Sequence, residues 1–129
     1  MAYYYEQASV LGEDATSFIN NYECTFVFST TNEDGSPNAA IFIPRMTEDQ
    51  KYIYCHMAPN NTLTNLKERL ECHITCVVFR KEEENKFDRT RGLRIKTRFV
   101  GEKNEAVKEE YGVKSKALFL EVIEMYPIG

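Results

Sequence analysis

The chain has no tryptophan, and only six glycines and four prolines are spread over its 129 residues. So few turn and linker residues leave no low-complexity segment and no interdomain linker, and no internal repeat is present. Lysine and arginine total 16 against 20 aspartates and glutamates, a formal net charge of −4. A general nucleic-acid binder needs a basic face to neutralise phosphates, so that class is set aside. No apolar run approaches the roughly 20 residues that cross a bilayer. Met1 to Asp14 holds no basic residue and no apolar stretch, so no export or organelle signal is expected. The expectation is a cytoplasmic protein without membrane association, its four cysteines (Cys24, Cys55, Cys72, Cys76) kept as thiols. The glycosylation sequon Asn60-Asn61-Thr62 then has no chemical meaning.

Familiar catalytic signatures are missing too. There is no Gly-x-Ser-x-Gly elbow, no paired Cys and His in an evident loop, and no glycine-rich phosphate loop. Cys72-His73-Ile74-Thr75-Cys76 brings two thiols and an imidazole close in sequence. A zinc site needs paired ligands two to four apart and a second pair elsewhere, so the thiols read as small buried hydrophobes and no metal is expected.

What is present is a core. Hydrophobic residues make up 43% of the chain, with eight phenylalanines and eight tyrosines, enough for one globular domain spanning 1–129. Asp14 is placed to cap a short helix whose apolar side is Ala15, Phe18, Ile19 and Tyr22. Cys24 to Thr30 reads as a strand, ended by a turn cluster in which Asp34-Gly35 marks a hairpin. Asn38 to about Met46 is a second strand, apolar on both faces, with Pro44 near an edge or a bulge. Tyr52 to Met57 is a third. Pro59-Asn60-Asn61 breaks it, and Asn60 or Asn61 caps a helix over Thr62 to Leu70 with Leu63, Leu66 and Leu70 on its apolar stripe.

His73 to Arg80 forms a fourth strand, followed by a charge-balanced loop, Lys81 to Arg91. Gly92 opens a fifth, Leu93 to Val100. Asn104 caps a last helix through Tyr111, and Ala117 to Tyr126 is the sixth strand. Six strands with short helices, and no regular strand–helix alternation, predict a mainly β fold: an antiparallel barrel.

Three places invite chemistry. The strand–turn–helix from Tyr52 to Leu70 ends in a helix N-terminus whose free N–H groups suit a phosphate, although simple capping is the plainer account. Arg94, Lys96 and Arg98 project from one face of a strand, balanced by water, carboxylates or an anion. Nucleic-acid barrels interleave aromatics with such cations, and here Phe99 points the other way. His56 ends a strand where it can line a pocket.

The order of these pieces resembles the FMN-binding split-barrel family, the pyridoxamine 5′-phosphate oxidase-like proteins and their small single-domain relatives. The residues that carry the resemblance are Asp34-Gly35-Ser36-Pro37-Asn38-Ala39-Ala40, Asn61-Thr62-Leu63-Thr64-Asn65-Leu66 and Gly92-Leu93-Arg94-Ile95-Lys96-Thr97-Arg98-Phe99, within a stretch from about Phe18 to Tyr126. The resemblance implies a six-stranded split β-barrel that works as a homodimer, with one FMN in each of two clefts between subunits. It implies that backbone of Ile41, Phe42, Ile43 and Pro44 holds the flavin ring. His56, Met57, Asn61 and Thr62 then hold the phosphate, and Arg94 comes from the partner subunit.

The family commonly has a cation where Asn61 or Thr62 stands, so Arg45, Lys67 or the Arg94–Lys96–Arg98 face is expected to supply it. Thr97 also replaces a glycine usual in the family. The implied function is FMN-dependent redox chemistry, with NADH or NADPH as the electron donor. The alternatives are a deazaflavin, haem with His56 or His73 as ligand, or a ligand-binding module without turnover.

Overall fold

The computed structural model describes residues 14–21, 24–86 and 89–128. They form a mainly β fold with three short α-helices: α1 (Ala15–Asn20), β1 (Thr25–Thr31), β2 (Pro37–Ile41), β3 (Arg45–Met46), β4 (Tyr52–Cys55), α2 (Asn61–Arg69), β5 (Glu71–Phe79), β6 (Thr90–Phe99), α3 (Asn104–Glu110) and β7 (Leu118–Pro127). A single 3-10 turn, Gly101–Lys103, precedes α3. The strands make one antiparallel sheet in the order β2-β1-β5-β6-β7-β4-β3.

Seven strands replace the expected six, because the segment read as one strand from Asn38 to Met46 is two. Pro44 has no N–H to give to a ladder, and pairing stops at Ile41 and resumes at Arg45. The break has a large consequence, since β2 and β3 are the two edges of the sheet. Phe42, Ile43 and Pro44 therefore carry the chain from one edge to the other, and the curled sheet stays split at this seam. Phe42 turns inward and packs its ring edge-on to Phe28, with centroids 5.1 Å apart. Pro44 is buried beside it.

Alternation builds the rest of the barrel. Phe26, Phe28 and Thr30 of β1 face in, as do Cys72, Ile74, Cys76 and Val78 of β5 and Leu93, Ile95, Thr97 and Phe99 of β6. Thr97 sits at a bulge against β7, and its hydroxyl donates to the Cys72 carbonyl at 2.8 Å, which satisfies the polar group inside. The β1–β2 hairpin closes with a three-residue loop in which Gly35 takes φ +88°, a geometry open to glycine.

Asp14 caps α1 as expected, accepting from Ser17 N–H at 2.8 Å; Tyr22 lies outside the described residues. Asn60, the first of the two candidates, caps α2 by accepting from Leu63 N–H at 2.9 Å. Asn104 does not cap α3. The preceding 3-10 turn leads straight into the helix, and the Asn104 side chain instead clamps β7, donating to the Ala117 carbonyl and accepting from Phe119 N–H. α3 is held by a second, smaller core of Val107, Ala117 and Phe119, with Tyr52, Tyr54 and Tyr111 packed around it. The Tyr111 hydroxyl donates to Asp49 at 2.6 Å. Burial opposes charge on Asp49, but hydrogen bonds from the Thr47 and Tyr111 hydroxyls and Lys51 N–H outweigh it and lower its pKa.

Gly92 lies where β6 crosses closest to β5, and a Cβ built there overlaps the Cys76 carbonyl. Gly92→Ala must push the two central strands apart. It is expected to cost about 2–4 kcal/mol in a urea-unfolding measurement, whereas a loss below about 0.5 kcal/mol contradicts the close approach.

Candidate functional site

Of the segment expected to hold a flavin ring, Ile41 ends β2, an edge strand among the described residues, and Phe42 to Pro44 form the crossing to β3. The bond from Asn32 N–H to the Ser36 carbonyl fixes the alternation along the hairpin, so Thr30/Asn38 and Phe28/Ala40 are the pairs that exchange ladder bonds. The N–H and carbonyl groups of Ala39 and Ile41 consequently point to the open edge. Pro37, lacking an N–H, occupies the equivalent position at the start. Ile41 and Ile43 stand out from the barrel at 68% and 70% exposure, large values for isoleucine. Phe42 and Pro44 point the other way. Apolar side chains, and backbone with no partner among the described residues, thus line one strip of surface.

A polar network ties this edge to the start of α2. Asn38 of β2 donates through Nδ2 to the hydroxyls of Thr62 (3.0 Å) and Thr30 (3.3 Å). Asn65 donates to the same Thr30 hydroxyl at 3.0 Å and to Asn32 Oδ1 at 2.9 Å. Arg69 completes the chain, giving Nη2 to Asn65 Oδ1 at 2.7 Å and Nε to the Thr31 carbonyl at 2.8 Å. Helix α2 is thereby locked across the β1–β2 hairpin. Thr62 is 1% exposed and Asn65 is buried, so both are structural members of the network. Asn61 stays exposed on the first turn. Among the described residues, nothing accepts from the N–H groups of Asn61 or Thr62.

The remaining expected site residues are distributed more widely. His56 is exposed between β4 and α2, while Met57 packs against the core. Three candidate cations line three separate depressions. Lys67 faces Arg98 and Lys103, Arg45 faces Glu48 and Asp49, and Arg94 lies on the outer sheet face with its guanidinium 5.8 Å from the Tyr126 ring centroid. The cation beside Asn61 is Arg69, in a depression it shares with Glu33, Asp34 and Glu68. Helical spacing places Arg69 on the polar side of α2 and within reach of Asn65 one turn back, but its bond to Thr31 depends on a hairpin more than thirty residues earlier.

The like charges of β6 are compensated by neighbours. Arg98 lies opposite Glu71 on one side and Glu121 on the other, and Lys96 lies opposite His73 and Glu124. Phe99 faces the core, as its alternation with Arg98 requires.

This incompletely closed seven-stranded antiparallel sheet is a split barrel of the pyridoxamine 5′-phosphate oxidase-like fold. The chain superposes on an FMN-binding protein from Syntrophomonas wolfei subsp. wolfei with a TM-score of 0.65 at 18% identity, over 89% of this chain and 84% of that one. HutZ, the haem storage protein of Vibrio cholerae, matches with a TM-score of 0.56 at 11% identity, over 85% and 89% of the two chains. An F420 reductase matches at 0.51 and 11%, over 90% and 95%. No family model and no curated protein matches the sequence.

Strand alternation also separates the thiols from the imidazole. Cys72 and Cys76 point into the core and His73 points out, and among the described residues no three metal-ligating side chains converge. Burial pushes the thiols of Cys55, Cys72 and Cys76 up to about 12, with Cys55 adding to the effect on Cys72 and Cys24 to that on Cys76. An unfolded thiol ionises near about 8.5, so the stability these three contribute is complete below that value and falls as pH rises toward 12. The urea midpoint is expected to be flat to pH ~8 and to drop above ~9. The same thiols should stay unreactive to an aromatic disulfide reagent at pH ~8 until the chain is unfolded.

Proposed function

We propose that the chain is a homodimeric flavoprotein that binds one FMN per subunit and carries out redox chemistry in the cytoplasm, with NADH or NADPH as reductant. One observation supports it above the others: the β2 edge, whose outer backbone groups have no partner among the described residues, is fixed by the Asn38–Thr62 hydrogen bond to a helix N-terminus whose first N–H groups have no acceptor among those residues. A flavin mononucleotide needs those two elements side by side, a polar edge for its ring and an anion site for its phosphate. The donors therefore fit the group.

In this reading backbone groups of Ala39 and Ile41 meet the polar rim of the ring, and Ile41 and Ile43 cover its apolar part together with a second subunit. Bound flavin supplies hydride acceptance and one- or two-electron transfer, and the protein supplies orientation and N–H donors that favour the reduced anion. Asn61, with the N–H groups around it, faces the phosphate. Thr62 acts from behind by anchoring the turn to Asn38. The phosphate charge is balanced from outside this turn, because Glu33, Asp34 and Glu68 line the same depression as Asn61 and Arg69 is committed to Asn65 and Thr31. Arg94 is the candidate to do so across a subunit boundary: it is exposed on the outer sheet face, with its guanidinium over the Tyr126 ring.

An absorption spectrum before and after adding FMN tests the proposal. The two flavin bands, with FMN released on acid denaturation, are the expected result. A colourless protein with no spectral or thermal response to excess FMN overturns it, and a response to haem or to a deazaflavin in its place redirects the same cleft to that cofactor. Asn61→Asp puts a carboxylate against the phosphate and is expected to weaken FMN binding by about tenfold or more, with Arg94→Ala costing a similar factor. An unchanged Kd in both variants removes these residues from the phosphate site.

A further inference from the structure

We propose that a groove of about 580 Å³ at the C-terminal end of α2 is a second binding site, one that takes a small monoanion with a flat apolar body. The groove is separate from the edge assigned to the flavin. Lys67 and Leu70 line it, whereas Asn61, Asn65 and Arg69 line the depression on the opposite side of the same helix. Lys67 is also six residues further along, about 9 Å down the axis from Asn61.

The floor is apolar. Phe99 of β6, Val107 of α3, Leu70 at the end of α2 and Val100 just after β6 meet there. The backbone is shaped to leave the space open. Leu70 is a non-glycine residue held at φ +67° by its N–H bond to Leu66 and by Phe99 N–H donating to its carbonyl at 2.8 Å. Gly101, at φ +63°, has nothing within 4 Å of where a Cβ would stand.

The rim carries donors with nothing to donate to. Lys67, Arg98 and Lys103 converge on the groove, and among the described residues none of them makes an ion pair or a side-chain hydrogen bond. The Tyr52 hydroxyl, also in the groove, has no acceptor among those residues, and its phenol pKa is raised by burial and then by Glu121. Glu102 and Glu121 share the rim, so the residues lining the groove carry three cations against two carboxylates, one positive charge in excess, with Glu71 opposite Arg98 lying outside the lining. A cavity of this size with an apolar floor and a few converging donors is the usual form of a small-molecule site. The charge excess matches a single anionic group, a carboxylate or sulfonate, rather than a dianion.

The test uses the full chain and two fluorescent probes of the same shape, 1-anilinonaphthalene-8-sulfonate and the uncharged N-phenyl-1-naphthylamine. The sulfonate is expected to bind with one-site saturation and to weaken about tenfold in Arg98→Gln/Lys103→Gln. The uncharged probe should bind at least about tenfold less tightly than the sulfonate and be indifferent to that variant. Lys114→Gln/Lys116→Gln, equally charge-altering but at exposed positions that do not line the groove, should leave sulfonate binding unchanged. Equal sulfonate affinity in wild type and Arg98→Gln/Lys103→Gln, or equal affinity for the two probes, overturns the proposal. Should the double variant lose its thermal transition, Lys103→Gln alone, altered on an exposed turn, carries the same prediction with a smaller factor.

Discussion

Three residues decide how this barrel is built. Phe42, Ile43 and Pro44 are all that separates the two edges of the sheet, so the chain itself ties β2 to β3 across a seam where no ladder forms. Proline cannot donate there, and Phe42 spends its ring on Phe28 inside the barrel. The seam cannot zip up, yet neither edge can drift away. Ile41 and Ile43 are left pointing outward because their neighbours point in. The exposed apolar strip is a by-product of the same alternation that anchors the crossing.

The second constraint is the run of side-chain hydrogen bonds from Arg69 through Asn65, Thr30 and Asn38 to Thr62. Buried polar groups are costly unless paired, and here each one named has a partner. The network joins elements that apolar packing alone would leave free to slide, the β1–β2 hairpin and α2. It therefore fixes the distance between an open strand edge and a helix start, which is the geometry on which the proposed cofactor reading rests.

Much of the fold was legible because strands and helices announce themselves locally. Phe26 and Phe28 against Val27, or Leu93 and Ile95 against Arg94, alternate as a half-buried strand must, and Asp14 and Asn60 sit where caps belong. The split of Asn38 to Met46 was legible only as the edge or bulge signal of Pro44, since apolar residues run from Ala39 to Ile43 without a turn former and only the pairing partners reveal that β2 joins β1 while β3 joins β4. Asn104 misled for a related reason: an asparagine before a helix reads as a cap, and its true partners at Ala117 and Phe119 lie beyond the helix. The candidate site divides the same way. The start of α2 could be located from Pro59-Asn60-Asn61, but the burial of Thr62, the tying up of Arg69 and the scattering of Arg45, Lys67 and Arg94 over three depressions are products of tertiary structure.

The bare edge of β2 also bears on how the chain behaves when nothing covers it. A strand with unpaired N–H and carbonyl groups is a template on which another strand can add, the first step of edge-to-edge aggregation. This edge is five residues long, begins with a proline that offers no donor, and ends at the seam, so an incoming strand finds few groups to pair with. The shortness of this edge limits self-templating, and what is open among the described residues needs none of the charged guard residues that longer edges require.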